Sequence, residues 1–129
     1  MQKIHLIANW KANPKELADA KRLTLAVKDA IAKARFTEMA LAVPNPFLVP
    51  VREVLGKSER CYLAAQDVST MDEGAHTGSV TAGMLKSVGV REIILGHSER
   101  RAQGLTDEGV RARMEKVLKR GLTAVLCVG

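Results

Sequence analysis

The feature that most constrains the fold is a regular alternation between short apolar runs and longer segments with helical periodicity. The runs begin at residues 4, 39, 61, 92 and 123 of the 129-residue chain. Apolar residues occupy consecutive positions within them, which indicates strands that are buried on both faces. Parallel strands joined by right-handed helical crossovers have this pattern. The sequence therefore predicts an α/β fold with five parallel strands and the element order βαβαβαβαβ.

Segments with helical periodicity connect the runs. In the first of them, apolar residues at helical spacing share one face: Leu17, Ala20, Leu23, Val27, Ala30, Ile31 and Ala34. Asn13 supplies an N-cap and Pro14 a first-turn proline, so this helix is predicted to begin there. Shorter helices are predicted over about residues 49–55 and 80–88. The last helix is predicted to begin after a Thr106 cap, with acidic residues in its first turn and basic residues in its last.

Length and composition are those of one domain. Hydrophobic residues make up 47% of the chain but aromatic residues only 3%, so the core must be aliphatic. We expect residues 1–129 to form a single domain without a linker. No apolar run approaches the roughly 18 residues of a membrane span, and the N-terminus lacks the apolar stretch of a signal peptide. These features predict a cytoplasmic protein that does not associate with membranes.

The charge and the cysteines exclude some classes of partner. A net charge of +6 can mark a nucleic-acid surface. Here the basic residues are scattered among acidic ones, and few aromatic residues are available to stack on bases, so no nucleic-acid partner is predicted. A small anionic ligand remains open. Cys61 and Cys127 each lie among apolar residues, outside any Cys-x-x-Cys or His/Cys cluster, so we expect two buried thiols and no metal site.

Polar side chains follow two of the predicted strands. Asn9 and Lys11 come directly after the first strand, and His97 follows the fourth. The carboxyl ends of parallel strands meet at one edge of a sheet, so these three side chains should lie together. Each also has an ordinary explanation, because a lysine after a strand is commonly a solvated loop charge and a histidine before a helix is commonly a cap. Their convergence favours a functional site.

The three side chains suit an anionic, oxygen-rich substrate. Lys11 offers a cationic donor to a phosphate or a developing enolate oxygen, and Asn9 offers a neutral amide. His97 precedes a short predicted helix whose dipole disfavours the imidazolium, so a neutral ring can donate to a carbonyl and exchange a proton with it. The site lacks a base for a carbon-bound proton. Three carboxylates follow His97 at helical positions that indicate ion pairs or dipole compensation instead: Glu99, Asp107 and Glu108.

With these residues in place, the chain resembles the triosephosphate isomerase family along its whole length. The matching motifs include Asn-Trp-Lys-Ala-Asn at 9–13, Ala-Gln-Asp-Val-Ser at 65–69, Gly-Ala-His-Thr-Gly at 74–78, Gly-His-Ser-Glu-Arg-Arg at 96–101 and Leu-Cys-Val-Gly at 126–129. They occur in the family's order and spacing, and the motif that contains His97 is the most specific. The resemblance implies a partial (β/α)8 barrel of about four βα units plus a fifth parallel strand.

The resemblance also implies a reaction and roles in it. Family members interconvert dihydroxyacetone phosphate and glyceraldehyde 3-phosphate without a cofactor or a metal. Asn9 and Lys11 match substrate-binding residues, with Lys11 also stabilising charge, and His97 matches the catalytic electrophile. Ser98 and Glu99 match residues that support the loop around His97.

Further positions match the family's structural residues. Gln66 resembles a buried polar residue at the end of the third strand, and Thr77 resembles the tip of a loop that enters the neighbouring subunit of the family's dimer. The family usually pairs the arginine at position 100 with two carboxylates, and those positions are Ser79 and Leu105 here. We therefore expect Arg100 to lack its partners, which places the usual dimer contact in doubt.

The family's remaining parts follow its fifth strand: three more strands, the catalytic glutamate, a closing lid and the phosphate-binding loops. We expect no efficient isomerase activity from residues 1–129 alone, because the base and the phosphate loops each contribute orders of magnitude to the rate. Five strands also leave two sheet edges and an inward face open, the latter including Ile7, Leu63 and Val125. A complementary C-terminal half chain would complete the barrel. The alternative is a truncated, catalytically inactive half-barrel that covers its open face by forming a homo-oligomer.

Overall fold

The computed structural model describes residues 2–129, which form five strands and five α-helices. The strands are β1 (Ile4–Asn9), β2 (Thr37–Ala42), β3 (Cys61–Ala65), β4 (Val90–Leu95) and β5 (Thr123–Leu126). The helices are α1 (Leu17–Lys33), α2 (Leu48–Leu55), α3 (Ala82–Ser87), α4 (Ser98–Ala102) and α5 (Asp107–Lys119), with a short 3-10 turn at Asn45–Phe47 before α2. The predicted α/β element order is confirmed.

All four strand pairings are parallel, and the strands lie in the sheet in their order along the chain. The helices pack on one face of this sheet and form the larger core with it. That core includes fully buried leucines at positions 41, 55, 63, 85 and 95. The opposite, inward face carries a smaller cluster of Ala40, Ala42, Tyr62, Ala64 and Ile94. The arrangement is half of an α/β barrel, as predicted.

The inward face differs from the prediction at one residue. Val125 packs on the inward cluster, and Ile7 pairs in register with Ala40 on that face. Leu63 was expected there as well, but it is fully buried in the larger core beneath the helices. Neighbouring residues of a strand point to opposite faces, so Tyr62 and Ala64 face inward instead. A strand that is apolar on both faces carries no sequence signal that fixes this choice.

The first helix begins later than Asn13 and Pro14 predict. Its N-cap is Glu16, which makes no side-chain cap hydrogen bond. The preceding residues are held in a different path, because Asn9 Oδ1 accepts a hydrogen bond from the Lys11 amide at 2.9 Å and turns the chain directly after β1. The prediction for α5 is confirmed, since Thr106 Oγ1 accepts from the Gly109 amide as an N-cap.

The two cysteines have different surroundings. Both are free thiols, and Cys61 is buried as expected. Burial raises the pKa of the Cys61 thiol above its ordinary value and keeps the thiol protonated. Cys127 is only partly buried, because it follows β5 on the open inward face. The expectation of two buried thiols is therefore wrong for Cys127.

Candidate active site

The turn after β1 places Lys11 in an unusual backbone conformation. Lys11 has φ of 56°, and no other non-glycine residue among residues 2–129 has a positive φ. Such a conformation costs energy and persists only where the surroundings hold it. Gln66, just beyond β3, supplies part of this support, because its Nε2 donates to the carbonyl oxygens of Lys11 at 2.8 Å and Ala42 at 2.9 Å. The loops after β1, β2 and β3 are thus joined at the lysine.

His97 lies at the carboxyl end of β4 and is the N-cap of α4. Its Nδ1 accepts a hydrogen bond from the Glu99 backbone amide at 3.1 Å. A ring nitrogen that accepts this bond carries no proton, so the neutral ring has its proton on Nε2. The His97 side chain is 24% exposed. The cap therefore fixes both the orientation of the ring and the nitrogen that can donate to a ligand.

An ion pair joins the two halves of the site. Lys11 Nζ lies 2.7 Å from Glu99 Oε1. The hydrogen bond from Lys11 holds the pKa of the Glu99 carboxyl below its ordinary value. Both side chains are 54% exposed, so the pair contributes little to stability but orients the ammonium group. An anionic ligand would compete with Glu99 for this cation.

The side chains predicted from the sequence surround one cavity of about 180 Å³. Its lining includes Asn9, Lys11, Gln66, His97 and Glu99. Ser98 begins α4 beside it. The cavity offers an ammonium group and an imidazole at the carboxyl edge of the sheet, where an oxygen-rich substrate could receive hydrogen bonds from both.

Arg100 lacks the two usual carboxylates, which are Ser79 and Leu105 here, but the expectation that it is left unpaired is wrong. Arg100 Nε and Nη2 lie 2.9 and 2.8 Å from Asp67 Oδ2, and Nη1 donates to Gln103 Oε1. Asp67 follows β3 and replaces the carboxylates that are absent at Ser79 and Leu105. Thr77 lies in an exposed part of the connection between β3 and α3.

A second polar group lies at the opposite, N-terminal end of the strands and was missed from the sequence. Tyr62 donates from its hydroxyl to Glu92 Oε1 at 3.0 Å, and His5 Nε2 lies 3.2 Å from the same carboxylate. The other nitrogen of His5 lies 3.4 Å from Glu38 Oε1. The available signal was the presence of polar residues near the starts of otherwise apolar strands. The two carboxylates contact opposite sides of the imidazole, so they do not converge on one metal ion.

Tyr62→Phe is expected to lower the free energy of unfolding by about 1 kcal/mol, because the buried Glu92 carboxylate loses a hydrogen bond. Burial, together with the bond to Glu92, raises the pKa of Tyr62 above its ordinary value of 10. Stability from such a group is fully present below pH 10 and is lost as the pH rises. The difference between wild type and Tyr62→Phe in urea unfolding should therefore narrow above that pH. A constant or widening difference would contradict the assignment.

Residues 2–129 contain no group of three or more His, Cys, Asp or Glu side chains arranged to hold a metal ion. Within the same residues, no helix has the length and apolar character needed to cross a membrane.

The fold and the site together define a half-barrel with a polar cavity at the carboxyl ends of its strands. A family model of triosephosphate isomerase matches residues 4–129. Triosephosphate isomerase from Paracidovorax citrulli is 41% identical over 133 aligned positions, which cover 100% of this chain and 52% of that protein. The protein of the same name from Thermus thermophilus is 38% identical, with 100% and 51% covered.

A solved structure agrees. The crystal structure of triosephosphate isomerase from Bartonella henselae matches with a TM-score of 0.82 and 32% identity, over 98% of this chain and 52% of that one. The chain belongs to the triosephosphate isomerase family. It spans about half the length of the relatives that it matches, and it corresponds to their N-terminal portion.

Proposed function

We propose that this chain supplies the N-terminal half of a cytoplasmic triosephosphate isomerase active site, which becomes competent when further polypeptide completes the barrel. The completed site would interconvert dihydroxyacetone phosphate and glyceraldehyde 3-phosphate. The observation that carries the proposal is the position of Lys11 and His97 around one cavity, with Nε2 as the donor nitrogen of His97.

In this proposal, each side chain has a role in moving one proton between two carbons of the substrate. A carboxylate from the completing polypeptide removes the proton from the carbon next to the carbonyl, and the carbonyl oxygen gains negative charge. His97 Nε2 donates to that oxygen, and the Lys11 ammonium stabilises the charge. Asn9 orients the Lys11 turn through its bond to the Lys11 amide. Ser98 and Glu99 position His97 and Lys11 without touching the reacting atoms.

The completing polypeptide is the partner of the inward face and the sheet edges. Ile4, Leu6 and Leu126, on the two edge strands, are 54%, 41% and 45% exposed. Apolar side chains at strand edges require a cover, and three further strands with their helices would provide it in an eight-stranded barrel. A subunit contact through Thr77, with Arg100 nearby, is a further part of the proposal and follows the family's dimer.

The proposal is tested by fusing residues 1–129 to the C-terminal half of one of the relatives. The fusion is expected to isomerise dihydroxyacetone phosphate, as measured by a coupled assay for glyceraldehyde 3-phosphate. The same fusion with Lys11→Met is the control for contaminating host enzyme and should be inactive. A fusion that folds, as judged by circular dichroism and gel filtration, but does not turn over substrate would contradict the proposal.

A second candidate is an inactive half-barrel that associates with copies of itself, and it is favoured by the same exposed apolar edges. Light scattering on residues 1–129 separates the two, because self-association predicts a stable oligomer that does not dissociate when a complementary half is added. An exchange of the oligomer for a one-to-one complex would favour the completed barrel.

A further inference from the structure

Two arginines share a single carboxylate beside the candidate active site, and one of them, Arg100, also lines the active-site cavity. Asp67 Oδ2 contacts both Nε and Nη2 of Arg100. The other oxygen of the same carboxylate, Asp67 Oδ1, lies 3.2 Å from Nε of Arg113 on α5. The Arg113 contact lacks hydrogen-bond geometry, and within residues 2–129 this buried Nε has no hydrogen-bond acceptor. The Arg113 side chain is only 19% exposed. Arg113 Nη1 donates to the Gly109 carbonyl oxygen at 3.0 Å, so the shortfall in hydrogen bonding concerns its Nε.

A cavity of about 300 Å³ adjoins this cluster. Its polar lining consists of Asn45, Asp67, Ser69, Ser79, Arg100 and Arg113. The lining carries two positive charges and one negative charge, which leaves a surplus of one positive charge. Asp67 is the one carboxylate between the two guanidinium groups, so an anion bound in the cavity would balance the surplus charge.

The donors around the cavity determine the kind of anion that would satisfy this requirement. Guanidinium groups bind oxyanions through directed, charge-assisted hydrogen bonds. The Ser69 and Ser79 hydroxyls and the Asn45 amide add neutral donors on the other walls. Donors on several walls suit a tetrahedral oxyanion better than a planar carboxylate.

We propose that this cavity is a binding site for a phosphate group, held principally by Arg113, which does not line the neighbouring cavity that contains Lys11 and His97. The ligand is free phosphate or a small phosphate ester. The site does not depend on the proposed isomerase activity, because it is formed by the turn after β2, the connection between β3 and α3, α4 and α5, all within this chain.

The test is a calorimetric titration of residues 1–129 at low ionic strength, with inorganic phosphate in one arm and glycerol 2-phosphate in the other. Saturable binding is expected, and Arg113→Gln should weaken it by about tenfold or more. Arg111→Gln is the matched control, because Arg111 lies on the same helix, is 83% exposed and pairs with Glu115. It removes the same charge and should leave binding unchanged. The arm with tighter binding identifies the preferred source of the phosphate group.

Two further variants keep the result decisive. Lys11→Met removes the cation of the candidate active site and should leave this binding unchanged. Ser79→Ala removes one neutral donor with little risk to folding and should weaken binding less than Arg113→Gln does. The proposal is overturned if neither ligand binds saturably, or if binding survives Arg113→Gln and Ser79→Ala but disappears in Lys11→Met, which would place the anion in the other cavity.

Discussion

His97→Gln is expected to lower kcat/KM of the completed barrel for dihydroxyacetone phosphate by about 10²–10⁴-fold, the usual contribution of a positioned acid–base group. Glutamine can still donate a hydrogen bond to the substrate oxygen, but it cannot exchange a proton with that oxygen as charge develops. The loss should therefore appear mainly in kcat, with KM changing less. The measurement is steady-state kinetics in both directions on the fusion described above.

His76→Gln is the matched control for this variant. His76 lies in the exposed connection between β3 and α3, outside the cavity that contains Lys11 and His97. The same chemical change at His76 should leave kcat and KM close to those of the unmodified fusion. If His97→Gln retained nearly full kcat, the proton-transfer role of His97 would have to be abandoned, whereas the binding role of Lys11 could remain.

Leu63→Ala is expected to lower the free energy of unfolding by about 2–5 kcal/mol, because the side chain is fully buried between the sheet and its helices. Domains of this size are commonly stable by only about 5–15 kcal/mol, so the variant should be close to unfolding. Urea denaturation followed by circular dichroism measures the change.

The same substitution at Leu126 provides the comparison. Leu126 is 45% exposed on the edge strand β5, so Leu126→Ala should cost far less, under about 1 kcal/mol. Equal losses at the two positions would mean that Leu63 faces the open interior rather than the helices. The two variants together therefore test the position of Leu63, which the sequence pattern predicted on the wrong face of the sheet.

The sequence predicted the elements well because apolar runs and helical periodicity are local signals. It failed where the deciding interaction is not local. Asn13 and Pro14 form a good helix start in isolation, yet Asn9 and Gln66 hold the preceding turn in another path. The choice between Tyr62 and Leu63 for the inward face depends on packing from both sides, which a uniformly apolar strand does not encode.

The candidate site likewise contains residues that the sequence could locate and contacts that it could not predict. Asn9, Lys11 and His97 could be located because strand ends converge at a known edge of any parallel sheet. The pairing of Asp67 with Arg100 and Arg113 could not, since it joins a loop to two helices that come later in the chain. The positive φ of Lys11 was equally inaccessible, because lysine has no intrinsic preference for that conformation.

The order of strands in the sheet has a consequence for biosynthesis. Every strand after the first pairs with the strand made immediately before it, so no strand between β1 and β5 needs a partner that has yet to leave the ribosome. Each emerging βα unit finds its docking edge already present, and the half-barrel can assemble from its N-terminus as translation proceeds. The cavity-lining residues that follow β1 and β4 would thus be brought together before any later part of a longer polypeptide was synthesised.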